Sequence, residues 1–112
     1  MTTPDIPTKS FIELLEDQFI NNPDNVAIIH NDDILTYRQL HEKAMNVAAI
    51  LQDKGLNLGD RVILYTPDKL AFLIIHLGII LSGGVSLPLN FSFTKDEMLY
   101  FINDSEAEFV FA

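Results

Sequence analysis

The 112-residue chain contains no cysteine, which excludes a disulfide framework and thiolate chemistry. It is also short of positive charge, with seven Lys and Arg against sixteen Asp and Glu, for a formal charge of −9. Such an acidic surface repels phosphate backbones and anionic lipid, so nucleic acid and membrane surfaces are not expected partners. Long apolar runs are missing too. The longest, Leu70–Leu81, has twelve residues and includes His76. As a helix it would reach about 18 Å, against about 30 Å for a bilayer core, so no membrane span is expected. The first ten residues are polar and carry Pro4 and Pro7, so no signal peptide is read there and a cytoplasmic location is expected. No internal repeat, linker or low-complexity stretch is apparent. With 48% apolar and 21% charged residues, the composition is that of a folded domain.

What is present is organised around Gly59–Asn90, GDRVILYTPDKLAFLIIHLGIILSGGVSLPLN. Two short apolar strands, Arg61–Tyr65 and Val85–Leu87, flank an apolar helix over roughly Leu70–Leu81 that Gly83 and Gly84 stop. Strand, helix and strand within about thirty residues make a βαβ unit, whose strands lie parallel. The helix is apolar nearly all round, apart from a narrow strip of Ala71, Gly78 and Ser82. Small residues in line permit close approach of a neighbour. A helix of this kind must be covered on several sides, which is hard to achieve in a domain of this size.

Upstream, residues 1–8 read as an extended lead-in. Ser10 and Glu13 form a capping box for a helix with Phe11, Leu14, Leu15 and Phe19 on its inner face, ended by Asn21-Asn22-Pro23. Val26–Ile29 and Ile34-Leu35 form a hairpin around the turn Asn31-Asp32-Asp33. Thr36 and Gln39 open a long helix to about Lys54, stopped by Gly55. Its inner face is Leu40, Ala44, Val47, Ala48 and Leu51. Downstream, Leu89–Phe93 reads as a loop. Thr94 and Glu97 then cap a short helix lined by Met98, Leu99, Phe101 and Ile102, and Phe109-Val110-Phe111 begins another strand. The fold class is α/β: a layered domain with a mostly parallel sheet, βαβαβ over residues 61–112, preceded by a helix, a β-hairpin and a long amphipathic helix. The hairpin is expected to lie apart from that sheet.

Candidate chemistry is sparse. His30, His41 and His76 sit on different elements and no pair has metal-ligand spacing. His76, inside the apolar helix, needs a partner and reads as a hydrogen-bonded or rim-facing structural residue. Asp32-Asp33 after a strand resembles the magnesium-holding acidic pair of receiver domains. That reading needs Asp68 and a lysine on a later strand, yet Lys69 is beside Asp68. A hairpin turn explains the pair more simply. Gly83-Gly84 follows a helix, the reverse of a dinucleotide fingerprint, and no phosphate loop is present. Ser10, Ser82, Ser86, Ser92 and Ser105 lack a nucleophile-elbow context. Read from the residues alone, there is no catalytic, cofactor-binding or metal site.

The order of segments, however, resembles a known family. Leu35-Thr36-Tyr37-Arg38-Gln39-Leu40 is similar to the TY-x-x-L opening of the adenylate-forming, AMP-binding superfamily. Ala48–Leu51 through Gly55 and Gly59-Asp60-Arg61-Val62 resemble its A-x-x-L…G-x-x-x-GDRV stretch. Tyr65–Leu81 resembles its strand, proline and apolar helix. Gly83-Gly84-Val85 through Pro88-Leu89-Asn90 resembles aGa-x-x-x-PLN, and Thr94–Phe111 resembles the helix and strand that follow. The run PLN-x-x-x-T-x-x-E-x-x-Y-F-I-x-D-S looks like the fatty-acyl and malonyl-CoA synthetase branch. Pro67-Asp68, where relatives often show Pro-Asn, is a small departure.

This resemblance implies an acyl-CoA synthetase that joins a carboxylate to ATP, releases pyrophosphate and passes the acyl group to coenzyme A, with magnesium assisting. It also implies that the phosphate loop, the ribose-binding Asp and the adenylation Lys lie beyond Ala112, so no family site residue is carried onto this sequence. Residues 1–112 are then expected to be a single partial domain, the N-terminal subdomain of a larger enzyme. The strand that ends the chain reads as a cut, and the remainder of the enzyme would be the partner. Alone, the chain is expected to be an inactive scaffold. Two alternatives are a stand-alone α/β interaction module that self-associates through its apolar helix and terminal strand, and a receiver- or flavodoxin-like domain that binds magnesium.

Overall fold

The structure is a computed structural model that describes residues 11–89 and 94–111. The chain divides into two compact units, Met1–His41 and Glu42–Ala112.

The first unit holds α1 (Phe11–Asn21), β1 (Val26–His30), β2 (Asp33–Thr36) and the first turn of α2 (Tyr37–Asp53). The hairpin is antiparallel, with Ile29 opposite Ile34 and His30 opposite Asp33. Asp33 therefore belongs to the strand and the turn narrows to Asn31-Asp32. Asn31 takes a left-handed φ of 56°, which asparagine tolerates because its short amide can bond locally. The capping box at Thr36 forms in both directions. Thr36 Oγ1 accepts the Gln39 N–H at 3.2 Å, and Gln39 Oε1 accepts the Thr36 N–H at 2.9 Å. Helix α1 ends at Asn21 as expected, whereas Ser10 of the first capping box lies outside the described residues. Leu14, expected on the inner face of α1, is exposed.

The second unit continues α2 and adds β3 (Arg61–Leu64), α3 (Lys69–Leu81), β4 (Val85–Pro88), α4 (Lys95–Ser105) and β5 (Phe109–Phe111). Gly55, at φ 91°, ends α2 in the left-handed conformation that costs glycine no Cβ clash. The three strands are all parallel in the order β4-β3-β5, a sheet separate from the hairpin. The chain leaves β3 for β4 on one side and then crosses back to β5 on the other. Two right-handed crossovers in opposite directions put their helices on opposite faces of the sheet. Both faces of β3 are accordingly covered, and Val62, Ile63 and Leu64 have no exposed surface. Each such side chain contributes about 1.5–3 kcal/mol on burial.

On one face, Val62 and Leu64 form a core with Leu51 of α2 and Ile79 of α3. The small strip on α3 explains how α2 and α3 come together. A Cβ on Gly78 would lie 2.5 Å from Val47 Cβ and 2.8 Å from the Ala44 carbonyl, so only glycine allows this approach. Coverage of α3 is incomplete all the same. Leu77, Gly78 and Ile79 are buried, while its first two turns are half-buried. Thr94 caps α4 as expected, accepting the Glu97 N–H at 3.2 Å. Leu99, expected to line the inner side of that helix, is 49% exposed. Of the expected loop Leu89–Phe93, Leu89 is buried and its N–H donates to the Leu64 carbonyl, and the rest lies outside the described residues.

Candidate functional site

The two ends of the three-stranded sheet are built differently. At the amino end, polar groups close on one another. Val85 N–H donates to the Asp60 carbonyl at 2.8 Å and Gly59 N–H to the Gly83 carbonyl at 2.9 Å. The Asp60 carboxylate accepts the Asn57 N–H at 2.8 Å. The Glu108 carboxylate accepts the Arg61 N–H at 2.6 Å, and the Arg61 guanidinium donates to the Ser105 carbonyl at 2.9 Å. No strand-end donor named here is left pointing at a ligand.

At the carboxyl end there is instead a crevice of about 80 Å³ lined by Leu64, Tyr65, Thr66, Ile75 and Phe111. Its position follows from topology. Because one crossover carries the chain from β3 to β4 and the next carries it back past β3 to β5, the direction of the connections reverses between β3 and β5. In open α/β sheets this switch point, outside the carboxyl ends of the strands, is where ligands bind. The last backbone bond across it runs from Tyr65 N–H to the Phe111 carbonyl at 2.8 Å. Beyond it Thr66 Oγ1 accepts the Asp68 N–H at 3.3 Å. Asp68 then caps α3, with Oδ1 accepting from Leu70 N at 2.9 Å and Ala71 N at 3.1 Å. The sequence admits Asp68 as a third carboxylate only in the magnesium reading that a hairpin turn makes unnecessary, and it places the helix from about Leu70, one residue after the observed start. The structure gives its carboxylate to the helix N-terminus, where it satisfies donors that have no intrahelical acceptor.

His76 faces β4. Its Nδ1 is 2.9 Å from Ser86 Oγ on β4, and its ring stacks on Phe72 with centroids 5.8 Å apart. Burial lowers its pKa below 6.5, because the charged form is poorly solvated there. The imidazole is a hydrogen-bonded structural residue tying α3 to β4, as expected. The other two histidines belong to the first unit. His30 ends β1, and His41 packs against Phe19 with centroids 4.7 Å apart.

The remaining candidates do not converge on a site. Asp32 stands in the hairpin turn and Asp33 opens β2, both exposed. Gly83 and Gly84 follow the Ser82 C-cap of α3, Ser82 Oγ donates to the Ile79 carbonyl, and Ser105 Oγ donates to the Ile102 carbonyl. Ser10 and Ser92 lie outside the described residues. Among the described residues, no group of three or more His, Cys, Asp or Glu side chains could hold a metal ion. A broader depression of about 450 Å³ is lined among the described residues by Asp96, Glu97, Tyr100 and Phe101, all on α4. Sequence reasoning missed the crevice. Its signal was the Tyr65-Thr66 pair directly after a buried parallel strand.

Comparison with known proteins places the chain. The family model of the AMP-binding enzymes matches residues 15–112. Bacitracin synthase 3 of Bacillus licheniformis is 34% identical over 110 residues, covering 97% of this chain and 2% of the synthase. A medium/long-chain-fatty-acid–CoA/3-oxocholest-4-en-26-oate–CoA ligase of Mycobacterium marinum is 40% identical over 84 residues, covering 75% of this chain and 15% of the ligase. Among solved structures, ATP-bound MatB from Rhodopseudomonas palustris superposes with a TM-score of 0.82 at 36% identity, over 88% of this chain and 20% of MatB. The chain thus spans a fifth or less of each of these relatives. No helix among the described residues is long and apolar enough to cross a membrane. With nearly all of its length inside one family match, a parallel-sheet fold shared with MatB and the ordered motifs from Thr36 to Phe111, this chain belongs to the AMP-binding enzyme family.

Proposed function

We propose that residues 1–112 are the N-terminal subdomain of a larger, cytoplasmic AMP-forming acyl-CoA synthetase, serving as scaffold for a nucleotide site built elsewhere in the enzyme. The parent would join a carboxylate, of the fatty-acyl or malonyl kind, to ATP and transfer the acyl group to coenzyme A. The observation that carries this reading is the 40% identity to a fatty-acid–CoA ligase, with the chain matching 15% of its length. The residues described here do not fit ATP, magnesium or coenzyme A. No metal-holding cluster is present among them, the crevice is several-fold smaller than the ~300 Å³ of a small ligand pocket, and the broader depression is lined among the described residues by α4 alone. No catalytic step is therefore assigned to this chain.

The test is a chimera in which this chain replaces the matched segment of MatB. Pyrophosphate release from ATP, magnesium and a carboxylate panel supports the reading, and a folded chimera without release overturns it. The isolated 112-residue chain should release no pyrophosphate above a control without enzyme, and release would overturn the inactive-scaffold part. A second reading, self-association as an interaction module, is favoured by the edges of β4 and β5, which no strand among the described residues pairs, and by the exposure of Tyr100 and Val110. Light scattering decides it: a dimer supports it and a monomer removes it.

A further inference from the structure

We draw no further inference here: the strongest candidate, the exposed apolar cross-strand pair Ile29 and Ile34 on one face of the β1–β2 hairpin, carries nothing because nothing among the described residues shows what covers it.

Discussion

The amino end of the sheet is closed by its own hydrogen bonds, whereas at the carboxyl end the reversal in the direction of the connections leaves a crevice. Asp60, Glu108 and Arg61 spend their polar groups on Asn57, Ser105 and the strand backbone. At the other end Leu64, Ile75 and Phe111 leave space that nothing among the described residues fills. One end is tied by polar groups and the other keeps an apolar crevice. Substitutions at the two ends should accordingly differ in what they cost in stability.

The largest effect is expected where the two roles meet. Leu64→Ala removes a side chain with no exposed surface that is both core and crevice wall, and should cost about 2–5 kcal/mol in urea unfolding. A loss under about 1 kcal/mol would mean that this end is not packed as described. At the amino end, Gly83→Ala forces an L residue to φ 90° and should cost about 1–2 kcal/mol, since the nearby Leu58 side chain is exposed and can swing away. Glu108→Ala frees the Arg61 N–H and should lower stability by about 1 kcal/mol, because water can take its place at this exposed strand end.

His76 gives a smaller, pH-dependent effect. Its folded pKa is lowered, so below 6.5 the unfolded chain takes up the proton more readily than the folded one. Its contribution is fully present above the unfolded value and is lost as pH falls through the folded one. Urea midpoints measured from pH 8 to pH 5 should decline more steeply in the native chain than in His76→Gln. Parallel declines would remove this residue from the account. The smallest effect belongs to the rim. Thr66→Val should change stability by no more than about 0.5 kcal/mol in urea unfolding. A large loss of stability would place Thr66 with the scaffold instead.

Much of this was legible from local chemistry. The boxes at Thr36/Gln39 and Thr94/Glu97, the stop at Gly55 and the hairpin turn all depend on residues within four positions of each other. They form wherever the chain places them. The cap at Asp68 was not legible, because a carboxylate two residues before an apolar helix suits either a metal or a cap, and only the backbone geometry at Leu70 and Ala71 distinguishes them. The exposure of Leu14 and Leu99 was hidden for another reason. Periodicity reveals which residues share a face, but not how much of that face is covered.

The crevice was the least legible feature. Leu64, Tyr65 and Thr66 are far in sequence from Phe111, and a βαβαβ pattern does not say on which side of β3 the third strand lies. The sequence by itself determined the elements, their caps, the parallel sense of the strands and, through ordered motifs, the family. Tertiary structure alone decided the order β4-β3-β5, the Gly78–Val47 approach that seats α3 on α2, and the opening between β3 and β5. The physical reason is range. Turns and caps are settled by neighbours along the chain, whereas strand order and open space depend on which distant surfaces bury each other.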